Sequence, residues 1–172
     1  MSAAKKREQE EDALLDKKIE EQRIEKSYSL FAASGVVTAV LPLYLYLAVL
    51  NYDIADPVSL GLLAALPLGA AFCVFKAYDI MFETEYHKRV PPFSDAISAQ
   101  LQPLRVQCAQ TWSIFFVNAL FLGLCLFFQL YIFRKLDLRI NLVLSFAIAG
   151  SLVWGIAQKN EESRKRKKNK TR

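Results

Sequence analysis

Twelve basic side chains are the residues of this chain best suited to do chemistry, and that chemistry is electrostatic. Arg164, Lys165, Arg166, Lys167, Lys168 and Lys170 crowd the carboxyl end, Lys5, Lys6 and Arg7 open the chain, and Lys88, Arg89 and Arg105 lie between. Clustered like charges attract polyanions: each one near an anionic surface adds on the order of 1 kcal/mol, and nucleic-acid phosphates draw on the same attraction. These twelve are candidates for contact with lipid headgroups or RNA. Two amides form a second set. Asn118 and Gln129 stand eleven residues apart, hence on one helical face, inside an otherwise apolar stretch. Amides in hydrocarbon need hydrogen-bond partners, from the same bundle or from another membrane subunit. Small residues form the third set. Gly61, Ala65 and Gly69 recur every fourth residue, as do Ala147, Ser151 and Gly155. Such stripes let a second helix approach, as helix packing within the chain or as subunit contact.

Nothing in the chain looks catalytic. It has no Gly-rich phosphate loop, no His-Glu-x-x-His, no nucleophile beside a base and no pair of membrane-embedded acids. The lone His87 and the three scattered cysteines, Cys73, Cys108 and Cys125, have no metal-ligand spacing. Neither an enzyme nor a cofactor is expected, and the cysteines read as free thiols.

The elements that position these sets are four apolar stretches, residues 29–50, 58–78, 111–133 and 138–157. At 1.5 Å per residue, ~20 apolar residues cross a hydrocarbon core of ~30 Å, and all four are long enough. The expected fold is therefore all-α and integral to a membrane, with four transmembrane helices. A strongly charged segment of 28 residues precedes the first stretch, so it reads as a retained span and not a cleaved signal peptide. The stretches come as two close pairs, and Ser29-Leu30-Phe31 recurs as Ser113-Ile114-Phe115 while Asp53 recurs as Asp137, both at an offset of 84. That predicts two similar helical hairpins.

The charge count sets the orientation. Arm, middle loop and tail carry 18 Lys and Arg, against three (Arg134, Lys135 and Arg139) in the short turns. Cytoplasmic flanks carry the excess, so both termini are expected in the cytosol. The resulting division is a charged helical arm (1–28), a first hairpin (29–78), a cytosolic loop with room for short helices (79–110), a second hairpin (111–157) and a basic tail (158–172). Pro91-Pro92 should end any helix leaving the second span, and 94–101 could form a short helix before Pro103. Pro42 and Pro67 are expected to bend the first pair. Lys168 and Lys170 also stand in a K-x-K-x-x arrangement resembling a dilysine retrieval signal of endoplasmic reticulum membrane proteins.

Over nearly its full length the chain resembles the gamma subunit of the translocon-associated protein complex, also called signal sequence receptor gamma. The resemblance rests on Glu10-Glu11-Asp12-Ala13-Leu14-Leu15, Ser29-Leu30-Phe31, Leu41-Pro42-Leu43-Tyr44-Leu45-Tyr46 and Ala77-Tyr78. It continues through Ser113-Ile114-Phe115, Asn118, Leu120-Phe121-Leu122, Asn141 and Leu144-Ser145. It implies a multi-pass endoplasmic reticulum protein beside the Sec translocon, with alpha, beta and delta partner subunits. It also implies a cytosolic contact to the ribosome, including ribosomal RNA, that supports co-translational translocation. Family members usually carry a longer, more charged loop than 79–110, which here holds only Lys88, Arg89 and Arg105. With so few charges in that loop, the basic tail after Lys159 and the charged arm before Ser29 can compensate, and the tail is expected to carry part of the ribosome contact. Two other classes fit four spans: a small duplicated-hairpin transporter, which needs ionisable residues in mid-span, and an insertase or membrane chaperone, which needs Asn118 and Gln129 facing lipid.

Overall fold

The computed structural model describes residues 26–52, 54–88 and 95–170, with backbone alone at 95–101 and 167–170. Four helices fill it: α1 (Tyr28–Ala48), α2 (Pro57–Lys88), α3 (Asp95–Phe127, closed by a π turn over Phe128–Ile132) and α4 (Leu138–Lys170). No strand occurs among the described residues. All four are long and apolar enough to cross a membrane.

Local chemistry sets the turns. Asn51 has φ 49°, and this left-handed residue turns the chain after α1 so that Tyr52 N–H reaches the Tyr46 carbonyl at 3.0 Å. Asp56 then caps α2. Its Oδ2 accepts from Ser59 N–H at 3.0 Å and Ser59 Oγ at 3.2 Å, and Pro57 occupies the first helical position, where a missing N–H is harmless. At the second turn Asp137 Oδ1 accepts from Arg139 N–H at 2.9 Å. The π turn before it has a visible cause: Asn141 Nδ2 donates to the Gln129 carbonyl at 3.1 Å, and Phe133 N–H reaches back five residues to Phe128 at 2.8 Å. A side chain that claims a backbone carbonyl disturbs the regular ladder.

Packing centres on α2, which touches all three other helices and shares its most extensive contact with α4. The seam runs through Phe31, Ala39 and Tyr46 of α1, Val74, Ala77, Tyr78 and Phe82 of α2, Val117 and Phe121 of α3, and Leu142, Phe146 and Val153 of α4. Apolar side chains cover the outside as well: Tyr44 is 72% exposed, Leu68 69% and Phe115 64%. In water so continuous an apolar exterior would be untenable, whereas hydrocarbon is its natural solvent.

The helices run further than the apolar stretches that announce them. Residues 79–88 continue α2 because Met81, Phe82, Thr84 and Glu85 are buried against the bundle. Residues 95–110, expected as a loop with a short helix ending before Pro103, are one piece with α3. Pro103 removes a single hydrogen bond. The helix beyond it is held by Arg105, which donates to the Tyr86 carbonyl at 3.4 Å, and by Gln110, which donates to the Ser27 carbonyl at 3.3 Å. Residues 158–170 continue α4. Pro42 and Pro67 both lie buried within unbroken helices. The break at Pro91-Pro92 lies outside the described residues.

Candidate functional site

The start of α1, the end of α2, the start of α3 and the end of α4 meet at one end of the bundle, so the chain leaves α1 and α4 on the same side. This end is the candidate interaction surface. Its frame is the last three turns of α2, tied from three directions. Lys26, just before α1, reaches Asp79 at 2.7 Å and Glu83 at 2.8 Å, with its ammonium 5.6 Å from the Phe82 ring centre. Burial works against the charge of Lys26, but the hydrogen bonds it donates to Asp79 and Glu83 outweigh that and raise the pKa above the ordinary lysine value. Arg105 on α3 donates to the Tyr86 carbonyl, near the last described residues of α2, and lies 4.7 Å from the Tyr86 ring centre. Arg164 on α4 donates to the Glu83 carbonyl at 3.3 Å. Cations at a helix C-terminus are favoured by the peptide dipoles, so these two arginines stabilise the end they grip.

Several sequence-derived contact candidates therefore have work inside the chain. Arg105 and Arg164 hold α2, Lys88 pairs with Glu85 at 2.7 Å, and Lys165 pairs with Glu161 at 2.7 Å along α4. Arg166 is exposed on the outer face of α4. Lys167, Lys168 and Lys170 lie on the same helix, their side chains beyond the described set, while Lys5, Lys6, Arg7 and Arg89 fall outside the described residues. The basic tail is thus a helical extension, about 20 Å from residue 157 to 170 at 1.5 Å per residue.

The two amides turn inward. Asn118 Oδ1 accepts from the Tyr78 hydroxyl, linking α3 to α2. Gln129 is 1% exposed; its Nε2 donates to Cys125 Sγ at 3.2 Å, and its backbone carbonyl accepts from Asn141. Asn141 is the hub at the turn end of the bundle, since its Oδ1 also accepts from Tyr46 Oη at 2.9 Å and Ser145 Oγ at 3.0 Å. Sequence reasoning about chemistry passed over Asn141, Ser145 and Tyr46. The available signal was an Asn and a Ser four apart, hence stacked on one face of an apolar span. Lys26 was counted only as topology charge, because nothing in sequence pairs it with residues 53 and 57 positions away.

The small stripes require a correction where intramolecular packing was expected. Gly61, Ala65, Gly69, Ala147, Ser151 and Gly155 all face outward, and a Cβ added at Gly61, Gly69 or Gly155 would meet nothing within 4 Å. The buried side of α2 runs through Ala70, Val74, Ala77 and Met81, rotated away from the stripe. Close approach happens instead at Gly35, where a Cβ would lie 3.4 Å from the Ala71 carbonyl oxygen, and at Gly150, 3.5 Å from Cys73 Cβ.

Comparison with known families adds a likeness. The model of the family described as Translocon-associated protein, gamma subunit (TRAP-gamma) matches residues 106–157. Comparison with curated proteins gives no match. The matched segment is the second hairpin, from Val106 on α3 to Ala157 on α4, and it contains Asn118, Gln129, Asn141 and Ser145. Together with four helices able to span a membrane, that match makes the chain similar to the TRAP-gamma family over its second hairpin.

Proposed function

We propose that the chain is a non-enzymatic anchor and ribosome contact of the translocon-associated protein complex, working beside the Sec channel with alpha, beta and delta subunits while nascent chains enter the lumen. Both termini, and with them the charged end of the bundle, face the cytosol on this reading, as the 18-to-3 distribution of Lys and Arg favours. The observation that carries it is the braced end itself. Three helices continue past the apolar spans, and Lys26, Arg105 and Arg164 lock them into one unit. A rigid projection transmits position from ribosome to membrane, which a floppy tail does not.

Within that projection Arg166 and the basic residues that follow it on α4 are the RNA-facing group, since Arg105 and Arg164 are committed to α2. The outward stripes of Gly61, Ala65, Gly69 and of Ala147, Ser151, Gly155 suit helices of the partner subunits. Phosphate contacts weaken with salt, so the test is ribosome association of the intact complex carrying a chain truncated after Asn160, titrated with potassium chloride. Weaker association with a shallower salt dependence is expected. Association unchanged in strength and salt response would overturn the tail's role. The Gln129 burial and the Asn118–Tyr78 bond leave no polar groove toward lipid at those two residues, so neither amide favours the insertase reading.

A further inference from the structure

A crevice of about 510 Å³ opens at the charged end between α2, α3 and α4. Each helix gives it one face: Met81, Glu85 and Lys88 are spaced four and three apart on α2, Trp112 and Phe116 four apart on α3, and Ile156, Lys159 and Ser163 three and four apart on α4. Its walls are graded. Met81, Phe116 and Ile156 line the part toward the spans, and Lys88, Lys159 and Ser163 line the part beyond them. Trp112, 43% exposed, stands at the change, the depth where indole rings prefer to lie in a bilayer.

We infer that this crevice is a binding site for one anionic glycerophospholipid, with its headgroup phosphate at Lys88 and Lys159 and the first part of an acyl chain along Phe116 and Ile156. Charge decides the headgroup. Lys88 is largely offset by Glu85 at 2.7 Å, which leaves Lys159 as the rim cation with no ion pair among the described residues and favours a lipid of net negative charge over a zwitterion. Depth decides that the occupant is a lipid and not a soluble anion. From Ile156 to Ser163 the wall rises about 10 Å at 1.5 Å per residue, enough to span the headgroup layer and enter the hydrocarbon. A free phosphate would use the rim and leave the apolar half wet. The floor is closed by Asn160, whose Nδ2 donates to Met81 Sδ at 3.3 Å, so the lipid would sit against a fixed α2–α4 contact. This inference needs only that the helices span a membrane, and it stands or falls separately from ribosome binding.

The chain has two tryptophans, and Trp154→Phe leaves Trp112 as the sole reporter. That full-length variant is reconstituted in phosphatidylcholine vesicles holding a minor fraction of phosphatidylserine, with bromine on the acyl chains of one lipid or the other. Brominated phosphatidylserine should quench Trp112 well beyond an equal amount of brominated phosphatidylcholine, and unlabelled phosphatidylserine, but not inorganic phosphate, should reverse it. Lys159→Gln should lower the preference about fivefold, the effect of one charge near an anionic surface. Lys159→Arg should keep it, and because it preserves the fold and charge it separates lipid recognition from misfolding. Equal quenching by the two lipids, competition by inorganic phosphate, or a preference untouched by Lys159→Gln would each overturn the site.

Discussion

The two hairpins share a sequence pattern and differ in how they use it. Phe31 and Phe115 are matched at an offset of 84, yet Phe31 is fully buried, stacked 5.5 Å from Tyr78, and Phe115 is 64% exposed. Ser29 and Ser113 are matched in the same way, and there the first is exposed while the second is buried, its hydroxyl donating to the Gln110 carbonyl. The turns diverge as well. The first spans eight residues, 49–56, and the second five, 133–137, so the capping aspartates are Asp56 and Asp137, an offset of 81. Asp53, the aspartate matched in sequence, lies outside the described residues. A repeat of apolar length and polarity therefore does not imply a repeat of packing. α2 sits at the centre of the bundle and must serve three neighbours, whereas α4, its counterpart in the second hairpin, has its main contact with α2 itself.

That asymmetry predicts unequal sensitivity to mutation. The largest effect is expected at Gly150→Leu, which drives a side chain into Cys73 from 3.5 Å and should destabilise the bundle by about 1–3 kcal/mol by overpacking. Gly155→Leu on the outward stripe should leave the isolated chain unchanged, and reversible unfolding in mixed micelles compares the two. Equal losses would mean that the stripe is a packing seam after all. Next comes Asn141→Ala, which strips bonds from Tyr46, Ser145 and the π turn at once and should cost about 1–2 kcal/mol in the same measurement. A loss confined to the second hairpin, read by hydrogen exchange of α3 and α4 with α1 protection intact, would break the view that Tyr46 couples the hairpins.

Smaller effects test the two ends. Lys26→Met removes both ion pairs to α2, but Asp79 and Glu83 are partly solvated, so no more than about 1 kcal/mol is expected. Limited proteolysis before Tyr28 should nevertheless quicken, and an unchanged rate would show that α2 does not hold the arm. The smallest effect is a pH response at the first turn. The Ser59 N–H bond holds the Asp56 carboxyl below the usual carboxylate value despite some desolvation, with help from the Ser59 hydroxyl and from Arg139 at 3.2 Å. A lowered pKa means that the cap's contribution is complete above the ordinary value of about 3.9 and is lost as the pH falls through the lowered one. Asp56→Asn should flatten that acid-side decline in thermal melts, and an unaltered profile would assign it elsewhere.

Much of the fold was legible because bilayer thickness converts apolar length directly into spans. The stretches at 29–50 and 138–157 begin within a residue of α1 and α4. What was not legible was how far the helices continue. Residues 79–88 and 95–110 are polar enough to pass for loop, and only the burial of Met81, Phe82, Glu85 and Gln110 against other helices makes them helix. The candidate site was half legible. Its basic residues are plain in the sequence, but no spacing rule separates Arg164, committed to a carbonyl of α2, from Arg166, exposed on the same helix.

By itself the sequence determined the all-helical class, the four spans, the wealth of cations at the chain ends and the family resemblance, because each follows from composition along the chain. Tertiary structure decided which faces meet. A span that is apolar all round has no preferred side in lipid, so only the partners could select Gly35 and Gly150 over Gly61 and Gly155, bring Asn141 to Tyr46, and set Lys26 between Asp79 and Glu83.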